Sequence, residues 1–514
     1  MNNSRTKNAT RNIFSGLINK IIMLLFPFII RTIMIKSLGS EFLGLNSLFS
    51  SLLQVLNLAE LGFGSAVVFS LYKPIAKGDK KTICALLNLY KKIYEIIGIV
   101  IICVGICILP FLKYLINGTY PNSINLYIVF VLYLLNTAIT YMMFAYKSSI
   151  LIAHQRSDIY NNVLSFSHII QYIAQIAVIF IFKNYYLYLI VNILATIFNN
   201  LIINYIVNKN YPHYICKGSI NNDLKKDIKQ RVKGLMIQKI CAATRNSLDS
   251  IFISSFLGLN AVAIYSNYYT ILNAVAGIMI IISNAILAGV GNSVVTESTE
   301  KNYNDMCKFN FIYMWFAGLS TTLMLCMYQP FMSLWMGEKY LLPMKTVVLI
   351  CIYFYILKIG DIRSTYSEAN GLWWEGRYRA LFESIANILL NILLGRLFGL
   401  NGIILATVIS LFIFNFIYSS QILFKCYFKN ISVFEFYKKN LLYAFVTFIG
   451  CCISYIICSR FHYNLLITLI INFSVCVVVT TSIYFIIYGY FKEFKESKKF
   501  IITFLKGVSK NEVQ

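Results

Sequence analysis

Basic side chains stand inside the longest apolar stretches of this chain, where charge is costly. Lys20 and Arg31 lie 11 residues apart, so at 3.6 residues per turn they share a helix face, roughly 16 Å apart along the axis. Pro27 lies on that face and is expected to kink the helix. Ionisable groups at such depth usually face a cavity, a pathway or one another. The alternative is that the two cations extend toward opposite membrane surfaces.

A helix predicted near the middle of the chain repeats this design. Lys239, Asn246 and Ser250 share one face, and Arg245 and Asp249 are spaced i, i+4 on a neighbouring face, where they can pair. Such a pair either carries charge through the membrane at low cost or acts as a protonation-sensitive latch. The nearby Lys239 favours a functional role for the pair.

Polar residues also recur at helical spacing in the second and eighth predicted helices. They include Asn46, Asn57 and Glu60 in the second helix and Asn273 in the eighth. Tight helix packing accounts for the small and amide residues of both stripes. It does not account for Glu60, which is expected to meet a cation or to titrate.

Further candidates are expected to make ordinary contacts between helices. They are His168, Gln171 and Gln175 in the fifth helix, Lys358 and Asp361 in the tenth, and Glu383, Asn387 and Asn391 in the eleventh.

The intramembrane cations outnumber the acids. The predicted cavity cations are Lys20, Arg31, Lys239 and Arg245, and the coupling or gating candidates are Glu60 and Asp249. Arginine suits phosphate particularly well, because its planar guanidinium binds two oxygens at once. The pattern therefore predicts a pathway for an anion that carries phosphate or pyrophosphate.

The elements that must position these residues are membrane helices. Of the 514 residues 58% are hydrophobic and only 13% are charged, which excludes a soluble globule. Apolar runs of 18 residues or more, each able to cross a bilayer, recur from end to end. The chain is predicted to be an all-α integral membrane protein of about fourteen spans. These are expected at 14–36, 42–70, 93–112, 124–146, 159–182, 185–207, 234–257, 261–290, 309–327, 346–368, 378–398, 401–424, 440–458 and 465–490.

The basic residues are concentrated in every second loop, and this distribution predicts the topology. Inner loops hold pairs such as Lys80-Lys81, Lys225-Lys226 and Lys438-Lys439, whereas outer loops hold one or two cations at a time. The positive-inside rule then predicts that both termini are cytoplasmic. This bias also accounts for the net charge of +25, so nucleic acid is not an expected partner.

Cysteine and histidine spacing indicates no cofactor. The chain has 13 cysteines, mostly inside apolar runs, and 4 histidines that do not cluster with them. This is typical of cysteine used as a small apolar residue, and it resembles neither a zinc site nor a redox motif. No metal ligands are predicted.

A basic stretch divides the chain. We expect an N-terminal bundle at 1–207, a cytoplasmic linker at 208–233, a second bundle at 234–424, and two further helices with a basic tail at 425–514. A weak internal repeat supports the division, because the segment that starts at Ile18 realigns without gaps on the one that starts at Ile237 and places Lys20 on Lys239. Internal symmetry is common in transporters, whose sites lie between the repeats.

Short motifs give the chain a family resemblance. They are Phe42-Leu43-Gly44-Leu45-Asn46-Ser47-Leu48-Phe49, Leu58-Ala59-Glu60-Leu61-Gly62-Phe63-Gly64-Ser65-Ala66, Leu71-Tyr72-Lys73-Pro74, Asp249-Ser250-Ile251-Phe252-Ile253-Ser254 and Tyr265-Ser266-Asn267-Tyr268. With the hydropathy pattern, they resemble the polysaccharide-repeat flippases of the Wzx type, in the superfamily that also holds lipid II flippases and multidrug exporters.

The resemblance implies a fold and a cargo. The fold would be two pseudo-symmetric six-helix bundles around a central cavity, with two extra C-terminal helices. The cargo would be an undecaprenyl-pyrophosphate-linked oligosaccharide of O-antigen, capsule or exopolysaccharide. It would cross the cytoplasmic membrane by alternating access driven by H⁺ or Na⁺, with a glycan polymerase as a partner. The family's cavity cations would correspond to Lys20, Arg31, Lys239 and Arg245.

Other functions fit the sequence less well. A multidrug exporter of the same superfamily would be expected to line its cavity with carboxylates. A membrane glycan polymerase, ligase or acyltransferase needs acid–base residues on a sizeable loop, and the longest outer loop, predicted at 328–345, holds only Glu338, Lys339 and Lys345 as charged groups. A scramblase or scaffold that performs no coupled transport is a third alternative. The chain is not predicted to be an enzyme.

Overall fold

The computed structural model is built from helices. It describes residues 2–57, 63–118, 120–154, 156–221, 226, 247–372, 375–461 and 464–499, and these ranges contain no β-strand. Within them, nine helices are long and apolar enough to cross a membrane, or ten if a pair bent by 43° at 143–144 counts as one span. The chain is therefore a multi-pass membrane protein, and the count of fourteen spans stays a prediction.

The chain divides into two compact units, Met1–Ala263 and Ile264–Gln514. The helices that begin in the first unit are α1 (Asn2–Ser37), α2 (Ser40–Leu56), α3 (Phe63–Lys77), α4 (Lys80–Ile108), α5 (Leu126–Met142), α6 (Ser148–Ala153), α7 (Ser157–Phe182), α8 (Tyr185–Asn210), α9 (Ser247–Leu257) and α10 (Leu259–Thr296). Short 3₁₀ turns at Leu109–Leu115 and Ala145–Lys147 follow α4 and precede α6.

The second unit continues from α10 to the end of the chain. Its further helices are α11 (Thr299–Met336), α12 (Met344–Lys358), α13 (Asp361–Ala369), α14 (Arg377–Phe398), α15 (Leu400–Ser410), α16 (Ser419–Cys426), α17 (Val433–Cys458) and α18 (Leu465–Tyr488). A 3₁₀ turn at Glu338–Tyr340 follows α11, and a π-helical segment, Leu411–Tyr418, joins α15 to α16.

Several helix boundaries predicted from hydropathy are wrong. The third predicted span, expected at 93–112, begins instead at Lys80, because Asp79 accepts a hydrogen bond from the backbone N–H of Thr82 at 3.0 Å and caps α4. Helix α11 runs on to Met336, so the first part of the outer loop predicted at 328–345 is helical. Hydropathy marks the part of a helix inside hydrocarbon, whereas caps and turns mark its ends.

Two predicted spans are also interrupted. The span predicted at 346–368 breaks between α12 and α13, and the span predicted at 401–424 changes to π-helical winding in its middle. Breaks and π-turns expose backbone groups that a continuous α-helix would satisfy internally. Both interruptions lie next to the charged residues described below. The span predicted at 42–70 includes residues 58–62, which lie outside the described residues.

In the first unit, small residues allow close helix packing. A Cβ atom built on Gly105 of α4 would lie 2.3 Å from a side-chain carbon of Leu134 on α5, and one on Gly98 would lie 2.5 Å from the side chain of Met142. These glycines let the two helices approach, as is common in membranes, where packing rather than water drives association.

Helix α9 belongs to the first unit because one asparagine holds its C-terminus. The backbone N–H of Asn117 donates to the carbonyl of Ser254 at 2.9 Å, and its side-chain amide donates to that of Phe256 at 2.7 Å. These carbonyls lie in the last turn of α9, where the helix itself leaves carbonyls without donors, and the backbone N–H of Gly258 also donates to the Ser254 carbonyl, at 3.0 Å. Gly258 follows at a φ of 85°, where a Cβ atom would lie 2.6 Å from the Asn117 carbonyl oxygen. Residues 208–221 and 226 of the predicted linker at 208–233 are described, and the remainder of the linker lies outside the described residues.

In the second unit, α17 and α18 pack on α11. Gly318 of α11 lies so close to the hydroxyl of Tyr484 that a Cβ atom would be 2.0 Å from it, and the Trp315 ring meets the Tyr484 ring edge-on with 4.9 Å between centroids. After α18, Glu493 binds Lys439 of α17 at 2.8 Å. Burial raises the pKa of Glu493, but the hydrogen bond from Lys439, a backbone hydrogen bond and the charges of Lys439 and Lys492 together hold this pKa below the ordinary value.

Substitution by alanine is expected to have opposite effects on stability at two glycines of the second unit. In Gly402→Ala the new methyl would lie 1.9 Å from the carbonyl oxygen of Leu394, so α14 and α15 must separate, at a cost of about 1–3 kcal/mol. In Gly450→Ala, the matched control on α17, it would lie 3.7 Å from Thr480, and alanine should stabilise the helix by about 0.5–1 kcal/mol. In detergent, the melting temperature should fall for Gly402→Ala and rise for Gly450→Ala. Equal shifts for the two variants would contradict this packing.

Candidate functional site

The break between α12 and α13 holds a buried ion pair. Lys358, 3% exposed, ends α12, and its Nζ lies 2.9 Å from Oδ2 of Asp361 at the start of α13. The hydroxyl of Tyr313, on α11, donates to the same carboxylate oxygen at 2.5 Å. The sequence placed this lysine and this aspartate together, and the structure adds the tyrosine that orients the carboxylate.

A second buried ion pair lies on α14. Nη1 of Arg379 lies 2.9 Å from Oε2 of Glu383, one helical turn later, and Glu383 is 3% exposed. Further along the same face, the Asn387 amide donates to the hydroxyls of Thr407 and Ser410 on α15, at 3.1 and 3.3 Å. The polar face of α14 therefore makes the expected interhelical contacts and carries one neutralised charge pair.

Arg363 lies between the two ion pairs. Its Nη2 donates to the backbone carbonyl of Asn415 at 2.7 Å and to the Oδ1 atom of the same residue at 3.2 Å. Arg379 donates to that Oδ1 as well, at 3.1 Å. Two guanidinium groups thus converge on one amide oxygen. We call these seven residues the Arg363 cluster: Tyr313, Lys358, Asp361, Arg363, Arg379, Glu383 and Asn415.

Backbone geometry makes room for Arg363. Asn415 lies within the π-helical segment, whose wider winding frees carbonyls from the α-helical pattern. Gly360, in the break before α13, would carry a Cβ atom 2.9 Å from Nη2 of Arg363. A larger residue there would push the guanidinium aside, so the helix break and the π-helical segment together create the arginine's position.

The charges of the Arg363 cluster do not cancel. Lys358 and Arg379 are each paired with a carboxylate, whereas the hydrogen bonds of Arg363 go to neutral oxygens of Asn415. Within the described ranges no carboxylate lies within 4 Å of Arg363, and its Nε atom is buried without a hydrogen-bond partner. Glu368, at the exposed end of α13, is a more distant electrostatic neighbour. The first contact shell therefore carries one excess positive charge.

Such an arrangement can bind an oxyanion. Guanidinium groups form strong, often bidentate hydrogen bonds with phosphate and carboxylate oxygens. Two of them already point at a single oxygen, the Oδ1 of Asn415, and an anionic oxygen at that position would be a better acceptor than a neutral amide. The Arg363 cluster has the donors and the charge for this exchange.

In the first unit, Arg31 lies on α1 beside a group of tyrosines. It is partly buried, and Tyr188 of α8 is its ionisable neighbour. The Tyr188 ring stacks on that of Tyr185 with 5.7 Å between centroids, and the Tyr185 hydroxyl lies 3.1 Å from that of Tyr133. Tyr133 also donates to Asn46, a member of the polar stripe predicted in the second helix. The polar stripe therefore supports the aromatic surroundings of Arg31.

The remaining predicted residues are distributed unevenly. Glu60, Lys239, Arg245 and Asn246 lie outside the described residues. Lys20 and Asn273 are exposed, Asn57 is partly buried at the end of α2, and Asp249 is buried on α9. Their roles in binding and coupling stay predictions.

Sequence reasoning missed Arg363, Arg379 and Asn415. Arg363 lies inside the span predicted at 346–368, so counting every arginine in a predicted span would have found it. Arg379 lies near the start of the span predicted at 378–398. No pattern identifies Asn415, because its role depends on the π-helical winding of its own backbone.

Comparison with known proteins places the chain in a family. The sequence profile described as "Polysaccharide biosynthesis protein" matches residues 9–287, more than half of the chain. The chain belongs to this family. No curated protein matches it by sequence.

Solved structures share the fold at low sequence identity. The lipid II flippase MurJ in an inward closed conformation is 14% identical, with a TM-score of 0.68, and the match covers 94% of this chain and 99% of that one. An inward-facing multidrug resistance transporter of the MATE family, in the MOP superfamily, is 13% identical, with a TM-score of 0.62 and coverages of 79% and 97%. A MOP superfamily transporter from Pyrococcus furiosus is 12% identical, with a TM-score of 0.55 and coverages of 81% and 95%. The fold is that of flippase-type membrane transporters.

The ion pair of α14 should show strong coupling in a double-mutant cycle. Arg379→Ala leaves the buried Glu383 without its partner, which should lower the free energy of unfolding by about 3–5 kcal/mol. Arg379→Ala combined with Glu383→Ala should cost less than the sum of the single changes by about 1–3 kcal/mol. Denaturant titrations in detergent give these values. The exposed pair Lys492 and Glu496, with the same spacing, is the control and should be additive; additivity on α14 would contradict the buried pair.

Proposed function

We propose that this family member is a flippase that moves an undecaprenyl-pyrophosphate-linked oligosaccharide from the inner to the outer leaflet of the cytoplasmic membrane. The observation that carries the proposal is the presence of two arginines shielded from water in a polysaccharide biosynthesis protein: Arg31, partly buried on a helix that is apolar enough to span a membrane, and Arg363, 3% exposed on α13. A buried guanidinium is costly in a membrane protein and usually marks a substrate or ion pathway.

The cargo chemistry follows from the contacts of these arginines. The Arg363 cluster offers two guanidinium groups to one oxygen and keeps one excess positive charge, which suits a pyrophosphate and repels a cationic drug. Structural neighbours include a protein named for flipping lipid II and a MOP superfamily transporter described as having a binding pocket of reverse polarity that suggests a different function. Within one fold, pocket polarity is therefore a reasonable guide to cargo.

The transport cycle in this proposal is alternating access. The pyrophosphate binds arginines on the cytoplasmic side and is released outside after a conformational change. Asp249 and Glu60 are the coupling candidates for an H⁺ or Na⁺ gradient, and both termini remain in the cytoplasm. The cargo would be a repeat unit of an O-antigen, capsule or exopolysaccharide, delivered to a glycan polymerase in the outer leaflet.

The sidedness of the lipid-linked oligosaccharide in depleted cells tests the proposal. An impermeant glycan-binding probe should label less of this intermediate when the protein is depleted, while total intermediate rises, and re-expression should restore labelling. If depletion changes neither the amount nor the sidedness of the lipid-linked oligosaccharide, glycan flipping is rejected and multidrug export becomes the leading alternative.

Substitution of Arg363 should separate transport from folding. Arg363→Gln removes the excess charge, and the loss of a charge-assisted contact worth about 1.5–3 kcal/mol should reduce probe labelling by roughly 10–100-fold. Arg363→Lys keeps the positive charge but loses the planar guanidinium that can donate two hydrogen bonds to one anion, so it should retain part of the activity. Labelling is measured in cells that hold equal amounts of each protein.

The control for this series is Arg377→Gln. Arg377 begins α14 and stacks on Tyr378, with 4.3 Å between its guanidinium carbon and the ring centroid, so its removal should change labelling less than about twofold, as for most surface substitutions. Equal losses for Arg363→Gln and Arg377→Gln would show a general charge effect and would contradict a binding role for the Arg363 cluster.

A further inference from the structure

Three cysteines that are far apart in the sequence meet inside the second unit. They are Cys326 on α11, Cys458 at the end of α17 and Cys476 on α18, and their sulfur atoms all lie within 4.8 Å of one another. The three residues are 5%, 5% and 0% exposed. We call them the thiol triad. Sequence spacing gives no sign of it, because each cysteine comes from a different helix and each looks like an apolar residue of its own span.

The triad has the size of a three-coordinate metal site. A metal–sulfur bond of about 2.3 Å gives sulfur–sulfur edges of about 4.0 Å in a trigonal planar arrangement. The observed upper limit of 4.8 Å exceeds this by less than an ångström, which changes of cysteine rotamer can close without moving the helices. The triad is thus nearly preformed, and preformed ligands lower the cost of binding.

The surroundings select the kind of ion. Thiol ligands favour soft ions such as Cu(I) and Zn(II). Structural zinc almost always takes four protein ligands, and among the described residues the group contains only these three ligating side chains. The side chains packed against the triad, Leu323 and Val475, are apolar.

Coordination number then favours Cu(I). The thiolate is the form of cysteine that binds metal ions, so three copper–sulfur bonds form, three S–H bonds break, and three protons are released to solvent. No oxidation or reduction occurs. Zn(II) at the same three thiolates would lack the fourth protein ligand that structural zinc takes.

We propose that Cys326, Cys458 and Cys476 form a three-coordinate binding site for Cu(I). Bound copper would join α11, α17 and α18 covalently. These helices already share contacts in this region, since the Asn472 amide donates to the backbone carbonyl of Cys326 at 3.1 Å and the Cys476 thiol donates to that of Thr322 at 3.8 Å. The site is independent of the proposed transport function.

Cu(I) titration of the purified full-length protein tests the site. Reduced protein in detergent, kept free of oxygen, is titrated with Cu(I) against a chromogenic Cu(I) chelator. We expect one ion per chain at the tightest site, and X-ray absorption of the one-to-one complex should show three sulfur neighbours at about 2.3 Å. This measurement needs no variant. Two or fewer sulfur neighbours, or a nitrogen-rich shell, would overturn the proposal.

Single substitutions assign the ligands. Cys326→Ser, Cys458→Ser and Cys476→Ser should each weaken the tightest site by at least about tenfold, since even second-shell changes cost 10–100-fold in metal sites. Cys452→Ser is the matched control, because Cys452 lies on α17 but is exposed, and it should leave the affinity unchanged. Melting temperatures without copper identify any variant that fails to fold.

Two further results would overturn the proposal. One is a triple-serine variant that folds and still binds Cu(I) as tightly as the wild type. The other is a disulfide between two of the three cysteines in protein whose free thiols were alkylated before the cells were opened, since an oxidised pair cannot bind the ion. Failure of either kind leaves the flippase proposal untouched, because that proposal is measured by glycan sidedness.

Discussion

A guanidinium held away from water must find acceptors for its hydrogen bonds, and in this chain that requirement organises much of the second unit. The hydrogen bonds of Arg363 go to one residue, Asn415, whose backbone and side-chain oxygens both accept from its Nη2. The backbone oxygen is available because the chain is π-helical there, and the space is available because residue 360 is glycine. Two neighbouring ion pairs then fix the flanking charges. The local irregularities of α12 to α16 are consequences of placing one cation.

The sequence predicts the architecture well, because hydrocarbon imposes a strong and simple constraint. Long apolar runs identify membrane helices wherever they occur, and the all-helical fold of the flippases and multidrug exporters is confirmed. Helix ends are predicted less well. Asp79 begins α4 by a local cap that hydropathy does not register, and α11 extends past the apolar part of its own sequence.

The candidate site is only partly visible in the sequence. Lys358 and Asp361 are identified because they stand three residues apart in one span, and Glu383 because it begins a polar face. The role of Arg363 depends on its hydrogen bond to Asn415, 52 residues later. That contact requires the π-helical winding of the backbone at Asn415, and no pattern of residues predicts this winding. The thiol triad is a stronger case of the same limit, since three helices must pack before the cysteines become neighbours. Short-range periodicity predicts helices, whereas these sites are made by contacts between them.

The π-helical segment also has a mechanical meaning. Relative to an α-helix, a π-turn holds one additional residue, so the chain on its far side is offset by about 100° of rotation and 1.5 Å of rise. If Leu411–Tyr418 rewound as an α-helix, α16 would turn by that amount and the carbonyl of Asn415 would return to its own helix. The bonds from Arg363 to Asn415 favour the π-helical winding, so the rotational position of α16 is coupled to the hydrogen bonds of one arginine.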